Sequence, residues 1–142
     1  MTKSIDMANE AQLSHVLGVD FGLSKIGLAI ADEETKMAFA FDILKNDKQL
    51  FDNLRDILIE KNIKKVVLGM TKHEKDSDSF MEKENFAKRL KEELSVHVFL
   101  QEEMFTTKMA HANIKLHGKK NISATDDKEA ARIILQSWLD GE

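Results

Sequence analysis

The chain has no cysteine and no proline. Without thiols, zinc-thiolate sites, thiol nucleophiles and disulfides are excluded together, which fits a reducing cytosol. The missing proline points to no function. Long apolar runs are absent too. The longest, such as Val16 to Val19 and Val66 to Met70, fall far short of the roughly 20 residues that cross a bilayer, so neither a membrane helix nor a membrane partner is expected. The opening MTKSIDMANEAQLSH has neither the apolar core nor the small-residue cleavage site of a signal peptide. It reads as a polar extension over residues 1–15, ahead of one domain over 16–142 with a cytoplasmic location. Net positive charge is also lacking. A formal charge of −4 argues against coating nucleic acid through bulk charge, while leaving room for a local basic rim. The densest such cluster is Lys115, Lys119 and Lys120, with His117 among them.

What is present suits a core without staples. A chain of 142 residues buries roughly 68–70% of the surface its unfolded form exposes. Val16 to Asp20 is an apolar run closing on a carboxylate, and Lys25 to Ala31 is a second run beyond a turn with Gly22, so a hairpin is predicted. Met37 to Ile43 supplies a third strand. From Asn46 to Lys61, Leu50, Leu54, Ile57 and Leu58 recur at helical spacing. Lys65 to Gly69 is apolar on both faces, as an interior strand of a mixed or parallel sheet should be. A helix follows over Ser79 to Leu94 with Phe86, Leu90 and Leu94 along one side, then a strand over Val96 to Leu100. The alternation implies α/β architecture. Thr106 can cap a helix to Leu116, and Thr125 or Asp126 a last helix to Leu139.

Acidic residues stand at the ends of these elements: Asp20 closes the first strand, Glu102 and Glu103 follow the strand ending at Leu100, and Asp127 opens the last helix. Such ends are where α/β sheets build sites. Asp127 shares a helical face with Ala131, Ile134 and Trp138, so its carboxylate is aimed inward. Taken singly, an Asp after a strand is a turn residue and one at a helix start is a cap; three sites in compatible places shift the balance toward chemistry. Oxygen ligands without cysteine or paired histidine favour Mg²⁺ or Mn²⁺ over zinc. His15, His73, His97, His111 and His117 show no ligand spacing. Phe51, Phe86, Phe99 and Trp138 read as core, and Phe21 and Phe105 as packing residues close enough to the acidic sites to stack on a base.

The stretch VLGVDFGLSKIGLAIAD resembles the opening of the YqgF (RuvX-like) family, an Asp-x-Gly, a basic pair, Ile-Gly and an apolar strand ending in Asp; Asp20, Gly22, Ile26, Gly27 and Asp32 match. KVVLGM resembles the family's Val-Val-Gly-Leu-Pro strand. QEEMFTTKMA resembles its Asp-Glu-Arg-Leu-Thr-Thr segment, with Glu102 on the Asp, Glu103 on the Glu, and Thr106 and Thr107 on the threonines. DDKEAARIILQSWLD resembles its closing Asp-x-x-Ala-Ala helix, with Asp127 on the Asp. The resemblance implies an RNase H-like fold: a mixed sheet, three strands of it antiparallel and the rest parallel, with helices on both faces. It implies a metal-dependent nuclease that cuts phosphodiesters in maturing the 5′ end of pre-16S ribosomal RNA, with four-way DNA junctions as the alternative substrate. The catalytic and Mg²⁺- or Mn²⁺-binding set becomes Asp20, Glu103 and Asp127, with Glu102 as a further candidate ligand. Lys25, Thr106, Thr107 and Lys119 are the expected substrate contacts. A monomer or weak homodimer is expected.

The chain departs from the family pattern at three places. The basic pair is Ser24-Lys25, Met104 stands where the family has Arg, and the loop after Gly69 reads MTKHEKDSDS without the family's Pro or Asp-Gly turn. Lysine cannot grip phosphate in the planar, bidentate manner of arginine. These losses give weight to a third reading, a non-catalytic RNA-binding assembly factor. A sugar-kinase-like or actin-like phosphotransferase shares the core and the Asp-x-Gly loop, but it needs two such domains around its cleft, and this length holds one.

Overall fold

The computed structural model describes residues 14–70, 78–102 and 122–141. Along these run β1 (His15–Asp20), β2 (Lys25–Asp32), β3 (Ala38–Lys45), α1 (Leu50–Glu60), β4 (Ile63–Met70), α2 (Asp78–Leu94), β5 (His97–Glu102) and α3 (Ile122–Asp140). The strands form one sheet in the order β3-β2-β1-β4-β5. β1–β2 and β2–β3 pair antiparallel, β1–β4 and β4–β5 parallel. The expected mixed sheet with helices on both faces is therefore present.

Strand alternation sorts the side chains into two unequal layers. On one face Leu17, Val19, Ile26, Leu28, Val66 and Leu68 pack beneath α1 and α2, whose Leu54, Phe86 and Leu90 complete a thick core. Arg89 of α2 stacks 3.9 Å over the Phe51 ring of α1, joining the two helices, while its guanidinium is held by Glu93 of its own helix. On the other face the sheet presents small residues, Gly18, Gly27, Ala29, Ala31 and Ala38, and α3 lies on them through Ala131, Ile134, Leu135 and Leu139. The small residues set how close α3 comes. A Cβ at Gly18 would stand 2.6 Å from Leu135 Cβ and 3.0 Å from the Ala131 carbonyl oxygen, and one at Gly27 would run into the Asp127 carbonyl.

Several boundaries differ from the sequence expectation, each for a local reason. His15 belongs to β1 rather than to the extension, because it pairs with Asp32 and its Nδ1 lies 2.8 Å from the Lys61 carbonyl oxygen. β3 runs over Ala38–Lys45 rather than Met37–Ile43, and its pairing with β2 carries a register shift between Leu28 and Ala29. α1 starts at Leu50, not Asn46, since the Asp47 carboxylate accepts the Gln49 N–H (3.0 Å) in a turn. With few glycines to spare, the exits from α1 and α2 place Asn62 (φ 53°) and Ser95 (φ 56°) in the left-handed region. β5 extends two residues beyond Leu100, so Glu102 lies within the strand rather than after it. α3 begins at Ile122, so neither Thr125 nor Asp126 is its cap; no Gly or Pro separates Lys119 from Asp127 to stop the helix growing backward. The expected Thr106–Leu116 helix lies outside the described residues.

The two glycine contacts predict a stability difference. Gly27→Ala should lower the unfolding free energy by about 1–3 kcal/mol, because its methyl meets backbone that cannot rotate away. Gly141→Ala, whose added Cβ has only 3.7 Å contacts, should stay within about 0.5 kcal/mol. Urea denaturation of both variants measures this, and an unmoved midpoint for Gly27→Ala would contradict the close seating of α3.

Candidate active site

At the C-terminal edge of the parallel strands, Asp20 is the last residue of β1 and pairs with Gly27 of β2. Its neighbours along β1, Val16 and Gly18, face α3, so alternation turns Asp20 to the same side. Gly27 is the position against which the Asp127 backbone rests. One glycine thus bridges the two aspartates, pairing with Asp20 across the sheet and seating Asp127 from above. Lys25, two residues before Gly27 and on the same face, places its Nζ 3.6 Å from Asp127 Oδ2; the two side chains are 41% and 26% exposed.

Asp127 was expected in the first turn of its helix. It sits more than a turn inside, beyond the reach of capping and of most of the macrodipole's effect. Its ordinary structural role is thereby removed, and the charge that balances it is Lys25. Arg132 on the same helix is engaged elsewhere. Glu129 clasps it with bonds of 2.9 and 2.6 Å, which raises its pKa and commits the guanidinium to the helix surface.

Of the adjacent glutamates, Glu102 is the one within the described residues. Val98 packs with the α1–α2 core and Leu100 lies beside α2, so Glu102 is on that face, opposite Asp20 and two strand spacings, about 10 Å, away. Glu102 is therefore not brought together with Asp20 and Asp127. Glu103, Thr106, Thr107 and Lys119 lie outside the described residues, as do Met104, Phe105, the Lys115–Lys120 cluster and the loop from Thr71 to Ser77. Among the described residues no group of three or more His, Asp or Glu gathers as a metal cage. Phe21 is 9% exposed and packs against Phe86 at 5.0 Å, which settles it as core. Gln101, in register with Gly69 and on the α3 face, is a polar group at this edge that carboxylate-centred reading missed; alternation along β5 was the signal that could have found it.

Among known proteins, a family model described as RuvX, Holliday junction resolvase, matches residues 14–141. A protein of Sulfurihydrogenibium sp. (strain YO3AOP1), named as a candidate pre-16S rRNA nuclease, is 30% identical over 133 residues, covering 90% of this chain and 91% of its own. One of the same name from Corynebacterium diphtheriae is 31% identical over 149 residues, covering 93% and 87%. Of solved structures, T. thermophilus RuvC in complex with a Holliday junction substrate superposes with a TM-score of 0.57 at 16% identity, over 90% of this chain and 94% of that one. The Fowlpox virus resolvase in complex with Holliday junction DNA gives 0.57 at 15% identity, over 89% and 97%. At such identities the likeness establishes the fold.

The placement of Glu102 away from Asp20 is directly testable. Glu103→Gln should lower nuclease activity by at least about a hundredfold, the scale on which even outer partners of metal sites act, whereas Glu102→Gln should stay within a few-fold. The reverse ranking in a single-turnover assay would mean that β5 presents its end in the other register.

Proposed function

We propose, from the premise that this chain belongs to the RuvX family, that it is a divalent-metal-dependent nuclease acting on pre-16S ribosomal RNA in the cytoplasm. Family membership carries the nuclease class; substrate and metal are our reading. The observation that carries it is the convergence of Asp20 and Asp127 on one face of one sheet edge, around Gly27.

The donor set fits a hard cation. Both ligands are carboxylates, the chain has no cysteine, and Asp127 already draws a cationic group, the Lys25 ammonium, to its oxygen. In this reading Asp20, Asp127 and Glu103 hold Mg²⁺ or Mn²⁺, with Glu102 excluded by its face of the sheet. The bound cation would supply Lewis-acid activation of water and neutralise charge on the scissile phosphate. The chain itself does the positioning. β1 and α3 present the two carboxylates from regular elements, and Gly27 keeps those elements adjacent. Lys25 balances Asp127 and offers a cation within reach of a phosphate oxygen, while Thr106, Thr107 and Lys119 are proposed to complete the substrate contacts.

Pre-rRNA is favoured over a four-way junction on charge. Resolving a junction needs two symmetric cuts and a broad positive surface for four duplex arms, and this chain carries −4. We take it to act as a monomer or weak homodimer. The resolvase reading keeps one support, the description of its own family model.

Both readings meet in one assay with Mg²⁺ or Mn²⁺ present. Wild type should cut unstructured RNA at least about tenfold faster than a mobile four-way DNA junction at equal salt, and Asp20→Asn should abolish cleavage with the fold intact by circular dichroism. A faster junction reaction would promote the resolvase, and full turnover by Asp20→Asn would remove that residue from the site. Metal-independent absence of turnover on every substrate would favour the RNA-binding assembly factor.

A further inference from the structure

The opposite face of the same sheet edge carries a groove of about 230 Å³ between α2 and the ends of β4 and β5. That is smaller than the roughly 300–1,000 Å³ of a small-molecule pocket. Its α2 wall is basic. Lys83, Lys88 and Lys91 line it with one acidic residue, Glu84, and their spacing keeps all three lysines within a helical arc of about 140°. Lys88 and Lys91 are exposed. Lys83 is only 2% exposed and is held by contacts within the fold, so its position is fixed where a surface lysine would swing. Those contacts offset the cost of burying its ammonium, and Lys88 and Lys91 are the lysines of this wall open to a ligand. The floor is apolar, with Met70 and a Leu100 that is 60% exposed.

Cations along one wall and an apolar floor beside them match one ligand chemistry, a nucleotide chain with phosphates on one side and flat bases on the other. A duplex hides its base faces, whereas an unpaired strand can lay them on an apolar surface while its phosphates follow the lysines. Met70 and Glu102 are in register at the groove's end of the sheet, the same edge that carries Asp20. We propose that this groove binds a single-stranded segment of the substrate adjoining the scissile bond, which then crosses the edge to the carboxylates. The inference rests on the nuclease reading and adds to it a substrate track whose cations belong to α2, not to the basic cluster near Lys119.

Binding can be separated from cleavage by chelating divalent ions. Fluorescence anisotropy of a labelled, unstructured RNA in EDTA, over a salt series, should show Lys88→Glu/Lys91→Glu weakening binding about tenfold or more. The slope of log affinity against log salt should fall by about 1.4, two phosphate contacts at about 0.7 each. Lys88→Gln/Lys91→Gln should lose the same slope without placing acids beside Glu84 and Glu92, and so serves where the reversal unfolds α2. Lys61→Glu/Lys64→Glu, an equal charge change at the other end of β4, should cost less than about twofold. An unchanged slope in both groove variants, or an equal loss in the control, would overturn the groove. If metal-dependent, Asp20-dependent RNA cleavage persists beside that result, the groove alone is rejected. A wild type that neither binds nor cuts RNA rejects the groove and the function together.

Discussion

The proposed site depends on how closely α3 lies on the sheet. A helix packed on leucine and phenylalanine is held well away from the strands beneath, as α1 and α2 are by Leu28, Leu68 and Phe86. On the other face Gly18, Gly27, Ala29 and Ala31 remove that spacer, and the backbone of α3 comes into contact with the sheet itself. The helix buries less apolar area per residue than a leucine-rich interface would provide, but it gains position. Asp127 is fixed by main-chain contact rather than by a long side chain, so its carboxylate is pre-organised beside the strand that ends in Asp20. Holding ligands on strands and helices in this way gives the precision that a metal site requires.

Charge follows the same geometry. Two aspartates converging on one edge repel each other, and the Lys25 ammonium near Asp127 offsets part of that cost while leaving both groups partly open to solvent. The rest of the chain is acidic overall, yet its cations are unevenly spread, with three gathered on one wall of α2. A negative protein can therefore present local attraction to phosphate at one sheet edge without becoming a general nucleic-acid binder.

Much of this was legible in the residues. The alternation of apolar runs and helical stripes defined the α/β layering. Asp20 stood out because it closes an apolar run, and Asp127 because it stands ahead of the last helix's apolar stripe. The face on which Asp127 lies followed from its spacing to Ala131 and Ile134. Less legible was anything set by where an element stops. β5 reads as ending at Leu100, yet it continues to Glu102, and those two further residues fix the face on which Glu102 stands. The start of α3 was less legible because Thr125 and Asp126 are good caps in isolation, whereas the helix reaches back past them to Ile122. The basic wall of α2 was hidden by composition. Its lysines are interleaved along the chain with Glu82, Glu92 and Glu93, and only the fold shows that Lys83, Lys88 and Lys91 line one groove with Glu84 as the acid among them.

In the proposed site, backbone contact at Gly27, and not the carboxylates alone, sets where the cation's ligands stand. Mn²⁺ titration by electron paramagnetic resonance of wild type, Asp127→Asn and Gly27→Ala, each at a temperature where circular dichroism shows it folded, tests this directly. The account predicts that Gly27→Ala, which alters no ligand, loses Mn²⁺ affinity by about tenfold or more, approaching Asp127→Asn. A Gly27→Ala protein that binds Mn²⁺ as tightly as wild type would contradict it.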